Sequence, residues 1–188
     1  MTLNRQNILD FFPALNEVTN QEWVDTACDI WLEAFEKSDW KDVQDAQFAM
    51  RAPNVPLVQH TNSVVDNALK IAKRTIAEYN YPLDLDILII SGVLHDVCKL
   101  EEMTYGEGGV GTSKKSDIGA IYQHGFLSGF YAQQYNLPKE VVAFCVSHAG
   151  QSKLLPKTKE ELILFYCDVM DADLHFMEAN VPLTLEVD

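Results

Sequence analysis

Apolar residues recur at helical spacing along most of the chain. Between residues 21 and 37 they lie three or four positions apart, and the same period returns from Leu57 to Tyr79. Each of these segments would be apolar on one face and polar on the other, as in the amphipathic helices of globular proteins. The region from Leu57 to Phe176 lacks the alternation of apolar and polar residues that is typical of half-buried strands. The chain is therefore predicted to be all-α, with at least five core helices.

Turn-forming residues divide this pattern into segments. The stretch from Ala52 to Pro56 breaks the helical pattern, and the polar residues 39–51 before it are expected to be irregular. We expect an N-terminal helical segment, residues 1–52, that packs on a core formed by residues 53–188. Helices are predicted over residues 5–12, 21–37, 57–79, 84–100, 117–135, 138–148 and 160–176.

The helix predicted over residues 84–100 is apolar on most of its sides and is expected to be central. Its run from Ile87 to Leu94 leads directly into His95 and Asp96. A bare carboxylate at that depth would be costly to desolvate, so these two adjacent ionisable groups need a partner. A metal ion would be an economical one, because imidazole and carboxylate together bind borderline and hard divalent ions.

Residues 103–116 differ from the rest of the chain. Four glycines occupy six positions between Gly106 and Gly111, a composition that does not sustain a helix. We predict a loop, which is either a flexible connector or a lid or phosphate-binding loop beside the site, since long loops in compact domains are often functional. No G-x-x-x-x-G-K-[ST] pattern occurs in it, so a nucleotide-binding P-loop is excluded.

The charge balance narrows the choice of partner. The chain has 28 acidic and 14 basic residues among its 188 positions, which gives a net charge of −14. Proteins that hold long nucleic acids or anionic membranes rely on clustered Lys and Arg, so both partners are disfavoured. A small phosphorylated substrate is still compatible with this charge, because bound metal ions can supply local positive charge.

The cysteines and the apolar runs indicate a cytoplasmic protein. The four cysteines have no paired spacing, and three of them fall in apolar helical stretches, so buried free thiols in a reducing compartment are expected. No signal peptide opens the chain, and no apolar run approaches the roughly 20 residues that span a bilayer.

Further potential metal ligands fall on separate predicted helices, namely His60, His124, His148 and Asp168. His95 and Asp96 continue as Val97-Cys98-Lys99, an H-D-x-x-K pattern, and the apolar stretch at residues 165–167 runs into Asp168. With its ligands in this order the chain resembles the HD superfamily of metal-dependent phosphohydrolases, in the version that holds two metal ions. The resemblance covers residues 55–176 and implies a helical bundle with a short N-terminal helical extension.

The resemblance also implies a site. The first ion would be held by His60, His95, Asp96 and Asp168, and the second by Asp96, His124 and His148. Iron or manganese suits these donors best, with zinc, cobalt or nickel as alternatives. Asp96 would be catalytic because both ions depend on it. Lys99 would stabilise transition-state charge or bind a substrate phosphate; its alternative role is that of a cation at a helix end.

Ligand residues alone leave three functions open. The first is a two-metal phosphohydrolase that cleaves a small phosphate ester, such as a nucleotide or a related metabolite. The second is a mixed-valent di-iron oxygenase acting on a small polyol or phosphonate, and the third is a non-catalytic, metal-stabilised sensor or binding module. We predict the hydrolase, because most members of the superfamily are hydrolases. The complete ligand set argues against a non-catalytic module, because a site that has lost its activity tends to lose ligands. Whether the chain forms a homodimer is left open.

Overall fold

Helices dominate the computed structural model, which describes residues 3–149 and 154–186 apart from the side chain of Leu185. They are α1 (Arg5–Phe11), α2 (Gln21–Glu36), α3 (Leu57–Tyr79), α4 (Leu85–Leu94), α5 (Lys99–Glu102), α6 (His124–Gln134), α7 (Lys139–Ser147) and α8 (Lys159–Glu178). Short 3-10 turns lie at Pro13–Glu17, Val43–Asp45 and Thr184–Glu186. The sheet found among these residues is a two-stranded hairpin of β1 (Met103–Gly106) and β2 (Gly109–Lys115). The predicted all-α class is confirmed.

Helix α4 lies at the centre of the bundle, as its apolar sequence predicts. Every residue from Ile87 to Leu94 is buried, and α2, α3, α7 and α8 pack around it. Gly92 allows the closest of these approaches: a Cβ atom there would lie 2.8 Å from Cγ2 of Val65 and 2.9 Å from Cδ2 of Leu164. A larger residue would therefore push α3 and α8 away from α4.

The helix predicted over residues 84–100 ends earlier than expected. It stops at Leu94, and residues 95–98 form a turn before α5 begins. The Val97 N–H donates to the carbonyl of Leu94, three residues back, and the Cys98 N–H leaves the ladder for the Ser128 hydroxyl at 3.2 Å. His95 and Asp96 open this turn, and their side chains reach one site.

The loop predicted over residues 103–116 is instead the β-hairpin, so its interpretation as a flexible connector is wrong. Tyr105 pairs with Ser113, and glycines take the left-handed conformation at Gly109 and Gly111, with φ of 74° and 87°. The Asn54 N–H donates to the Gly111 carbonyl at 2.8 Å, which attaches the hairpin to the bundle. Backbone pairing with a partner strand replaces the helical bonds that glycine disfavours.

The helix predicted to begin at residue 117 begins at His124. Residues 117–121 form a turn that packs on the end of α5, where the Ser116 N–H donates to the carbonyl of Glu102 at 3.0 Å. A Cβ atom at Gly119 would lie 1.9 Å from that same carbonyl oxygen, so only glycine permits this approach. The turn therefore sets where α6 starts.

The N-terminal helices contribute to the same core as the rest of the bundle. Trp31 of α2 donates its indole N–H to the carbonyl of Val93 at 3.0 Å, and Trp40 donates to the carbonyl of Leu100 at 3.1 Å. Both bonds fix the backbone on either side of the turn that carries His95. The division between residues 1–52 and 53–188 stays a prediction.

Two further features of the structure concern the cysteines and the length and apolar character of the helices. Each of the four cysteines is a buried free thiol, as predicted: Cys28, Cys98, Cys145 and Cys167. Within the part of the chain that the structure describes, no helix combines the length and apolar character needed to cross a bilayer.

Asp86 links the N-terminal segment to α4, and its removal should destabilise the fold. Its carboxylate accepts hydrogen bonds from the Thr19 N–H and hydroxyl and from the Asn20 N–H, at 2.6 to 3.1 Å. Partial burial raises the pKa of Asp86, but these bonds outweigh burial and lower it below 3.8. Asp86→Asn should lower the free energy of unfolding in urea by roughly 1–3 kcal/mol at neutral pH.

The sign of the pH dependence provides a second readout for Asp86. A lowered folded-state pKa adds stability above the unfolded value, and this stability is lost as pH falls through the folded-state pKa. The difference between wild type and Asp86→Asn should therefore shrink in acid. Asp66→Asn, which removes an exposed ion pair with Lys70, is the matched control and should cost less than about 0.5 kcal/mol. Equal losses in the two variants would contradict the role of Asp86.

Candidate metal centre

The structure brings all six predicted ligands together from five parts of the chain. Four of these parts lie on or beside the end of a different helix, and the fifth, Asp168, lies inside α8. His60 is in the first turn of α3, His95 and Asp96 follow α4, His124 opens α6 and His148 follows α7. His60, His95, Asp96 and His148 are buried, while His124 and Asp168 are partly exposed.

The ligand atoms form two groups, in each of which the atoms lie within 4.8 Å of one another. The first group is His60, His95, Asp96 and Asp168, and the second is Asp96, His124 and His148. Asp96 belongs to both. Its Oδ2 lies 3.4 Å from Nε2 of His60 and 3.5 Å from Nε2 of His95. Its Oδ1 lies 3.3 Å from Nε2 of both His124 and His148.

The other nitrogen of each histidine is already bonded. Each Nδ1 lies against an oxygen: His60 against Asp171 at 2.8 Å, His95 against the Gly92 carbonyl at 2.6 Å, His124 against Glu102 at 2.6 Å and His148 against the Cys145 carbonyl at 2.9 Å. A backbone carbonyl only accepts, so His95 and His148 must carry their proton on Nδ1 there. Neutral rings held in this way present the lone pair of Nε2 to the carboxylates.

This arrangement fits a cation between the imidazoles and the carboxylates. Lone pairs that face carboxylate oxygens repel them, whereas a divalent ion is attracted to both. Nε2 of His95 is buried and has no hydrogen-bond partner among the described residues. It lies 3.7 Å from Oδ1 of Asp168, further than a hydrogen bond reaches. The donor set therefore suits a metal better than it suits a hydrogen-bonded core.

Two supporting carboxylates complete the centre. Asp171 lies one turn after Asp168, and it accepts bonds from His60 and from the Ser63 hydroxyl at 2.5 Å. Glu102 was not predicted from the sequence. It belongs to an acidic pair that resembles an ordinary helix surface, and nothing in the sequence indicates that α6 begins opposite it. Such partners orient metal-binding imidazoles and raise their basicity.

Comparison with known proteins agrees with this geometry. The family model described as HD domain matches residues 57–173, more than half of the chain. The chain belongs to the HD-domain family. HD domains bind divalent metal ions, and the two ligand groups of this HD domain could hold them.

The chain is also similar to a curated protein, the dihydroneopterin 2′,3′-cyclic phosphate phosphodiesterase of Methanocaldococcus jannaschii. The two are 28% identical over 128 residues, which cover 66% of this chain and 49% of that protein. The chain thus spans about half the length of the curated relative that it matches. No solved structure matches the chain.

Without a metal ion, protons have to neutralise the centre of this HD domain. Burial lowers the pKa of His60, but the hydrogen bonds that it donates to Asp168 and Asp171 outweigh burial and raise it to about 10. Burial raises the pKa of Asp96, yet Lys99 and His95 bring it well below its ordinary value. The hydrogen bond with His60 likewise lowers the pKa of Asp168 against the effect of burial, and the nearby His95 acts in the same direction. The carboxylates are therefore ionised, and His60 carries a proton.

Lys99 lies at the edge of the centre. Its Nζ is 2.6 Å from Oδ2 of Asp96 and 5.4 Å from the centre of the Phe48 ring. Phe48 also stacks on His60, with ring centres 4.5 Å apart. The ammonium group therefore places a positive charge beside the carboxylate that the two ligand groups share.

A cavity of about 390 Å³ opens onto the centre. Asp96, His124, His148 and Asp168 lie in its wall, together with the cations Lys99, Arg51 and Lys115 and with apolar side chains from α8, such as Phe165. Arg51 stacks on the Phe176 ring at 3.7 Å and donates to the Pro182 carbonyl. His175 contacts Asp171 at 3.5 Å and lies outside both ligand groups.

Removing either supporting carboxylate should weaken the binding of a different ion. Glu102→Ala should lower affinity for the ion at His124, and Asp171→Ala affinity for the ion at His60, each by about 10- to 100-fold, because an unsupported imidazole is less basic and less well oriented. Calorimetric titration with Mn²⁺ and metal analysis after dialysis would measure both losses.

The His124→Ala background separates the two effects. This variant should keep the first ion and lose the second. In this background, Glu102→Ala should cause no further loss of metal affinity, whereas Asp171→Ala should lower the affinity for the ion that remains. If both variants lowered the affinity for the same ion, the assignment of Glu102 to the second ligand group and of Asp171 to the first would be wrong.

Metal affinity should rise with pH, because the ion has to displace the proton on His60. With a folded-state pKa of about 10 against an ordinary 6.5, that proton stabilises the metal-free protein fully below pH 6.5, and this stabilisation is lost as pH rises through about 10. The gain in Tm on adding Mn²⁺ should therefore increase over this interval. A gain that did not change with pH would contradict a protonated His60 in the metal-free centre.

Proposed function

We propose that this HD domain is a two-metal phosphohydrolase that cleaves a small phosphate ester. The observation that carries the proposal is the position of Asp96, whose two carboxylate oxygens face two different groups of imidazole nitrogens. A shared carboxylate of this kind holds two ions close together, and phosphatases use such pairs.

The proposed ligands are those the sequence analysis named. His60, His95, Asp96 and Asp168 would hold one ion, and Asp96, His124 and His148 the other. Nitrogen and oxygen donors without thiolate favour iron or manganese, with zinc, cobalt or nickel as alternatives. When bound, such a pair lowers the pKa of water and neutralises charge on phosphoryl oxygens.

The cavity supports a small, anionic substrate. Its volume of about 390 Å³ falls within the usual range for small-molecule sites, roughly 300–1,000 Å³. Three of the chain's 14 basic residues line it, namely Arg51, Lys99 and Lys115. Lys115 ends β2, so the hairpin contributes to the wall and the interpretation of residues 103–116 as a phosphate-binding element stays a proposal.

Lys99 is the proposed second catalytic residue. Its ammonium group lies beside Asp96 at the cavity wall, where a phosphate that reached the ligand groups would meet it. A cation there binds the ester and stabilises the charge that grows on its oxygens as the bond breaks.

The relative and the composition support the same reaction class. The Methanocaldococcus jannaschii protein is named as a phosphodiesterase of a cyclic phosphate, which is hydrolytic chemistry on a small phosphate ester. The four free thiols support a reducing, cytoplasmic setting, and the net charge of −14 disfavours long nucleic acids.

The test of this proposal is a panel of phosphomonoesters and cyclic phosphodiesters with Mn²⁺- and Fe²⁺-loaded protein. Asp96→Ala should remove activity and bound metal together, because both ions lose a ligand. Lys99→Ala should keep its metal content and lower kcat/KM by about 10- to 1,000-fold, the usual range for loss of a charge-stabilising donor. Lys70→Ala, an exposed lysine paired with Asp66, is the control and should change neither.

The other outcomes of the panel decide against the proposal. Oxygen consumption by the iron-loaded protein with a polyol or phosphonate, without ester hydrolysis in any metal form, would establish the oxygenase function instead. Bound metal without turnover in either assay would indicate a sensor or binding module.

A further inference from the structure

The outer face of α8 is apolar along most of its length. Between residues 162 and 177, every residue whose side chain is exposed is large and hydrophobic: Leu162, Tyr166, Met170, Leu174 and Met177. Their exposed fractions run from 46% at Leu162 to 65% at Tyr166. They follow each other at three or four positions and form one row about 22 Å long, which we call the α8 stripe.

The charged residues of this span do not reach the α8 stripe. Asp168 and Asp171 face the metal centre, and Asp173 accepts hydrogen bonds from the Thr184 N–H and hydroxyl at 2.7 Å. The surface of α3 is different, because charged side chains make up most of its exposed positions. The α8 stripe is therefore an uncharged surface on a chain whose charged residues are 22% of the total. Helix α6 also exposes large apolar side chains, Phe126 and Phe130, against five on α8.

We infer that the α8 stripe is the contact surface of a homodimer, in which α8 packs antiparallel against α8 of a second copy. The inference is independent of the proposed activity. Five large side chains, each about half or more exposed, offer on the order of 500 Å², at the upper end of the apolar patches that monomers leave open. With the half-buried residues beside it, this area approaches the roughly 800 Å² per partner of a standard interface.

The area of the α8 stripe favours a second copy as the occupant, because two such rows together approach a standard dimer interface. Two copies of a chain with a net charge of −14 repel each other, so a stable contact between them has to exclude acidic side chains from its centre. The α8 stripe meets that requirement, because its five side chains are uncharged. An anionic membrane would be repelled by the acidic chain around the stripe.

The two-fold axis should pass close to Met170, the middle residue of the α8 stripe. In a symmetric contact each residue meets its mirror position, so Met170 meets Met170 and Leu162 meets Met177. Antiparallel packing of two identical rows would bury all five side chains at once.

The test is the molar mass of the wild-type protein by light scattering at micromolar concentrations. We expect the mass of two chains, with dimerisation strengthened by added salt, because salt screens the repulsion between copies. Met170→Glu should weaken dimerisation at least about tenfold. Ile71→Glu on α3, where the wild-type side chain is 46% exposed against 47% for Met170, is the matched control and should leave the mass unchanged.

Cross-linking tests the register without depending on an interface charge. Under mild oxidation, Met170→Cys should form a disulfide with its own copy. Leu162→Cys should not link to itself but should link to Met177→Cys when the two variants are mixed.

A single-chain mass for the wild type would overturn the inference. So would dissociation by Phe126→Glu on α6, where Phe126 is 54% exposed, together with an intact Met170→Glu dimer, because the contact would then lie on α6.

Discussion

A buried carboxylate and a partly exposed one, packed among four imidazole rings, are the constraint on which the rest of this structure depends. Asp96 and Asp168 are ionised. In His95 and His148 the N–H at Nδ1 donates to a backbone carbonyl, so Nε2 presents a lone pair to these carboxylates. Hydrogen bonds alone cannot satisfy such a cluster, as the unpartnered Nε2 of His95 indicates. Positive charge has to come from protons, from Lys99 or from metal ions. Only metal ions satisfy all of the facing lone pairs together.

The fold meets this constraint by directing helix ends at one point. His95 and Asp96 lie where α4 gives way to the turn of residues 95–98, and both reach the same centre. The surrounding core holds that turn in place: Trp31 and Trp40 bond to the backbone on its two sides, and Gly92 admits α3 and α8 against α4. The apolar character of α4 is therefore a requirement of the site as much as of stability.

The sequence was sufficient for those features that depend on local pattern. The helical period predicted the all-α class, and the apolar run before His95 predicted a central α4. The order of the ligands indicated the family. Features that depend on distant partners were missed. The hairpin requires Asn54 to bond Gly111, and the role of Glu102 requires α6 to begin opposite it. The early end of α4 depends on a hydroxyl from Ser128, thirty positions away.

Net charge and local charge act at different ranges, and the difference bears on the choice of substrate. The charge of −14 repels a polyanion whose length exceeds the roughly 8–10 Å over which salt screens charges, because most of that molecule would lie over the acidic surface. Inside the cavity, Arg51, Lys99 and Lys115 act over a few ångströms with little screening. A phosphate ester small enough to enter leaves the acidic surface behind and meets these cations, while the proposed ions would neutralise the carboxylates of Asp96 and Asp168 in the same wall. The charge distribution thus favours small phosphate esters over long polyanions, whatever specific contacts the substrate then makes in the cavity.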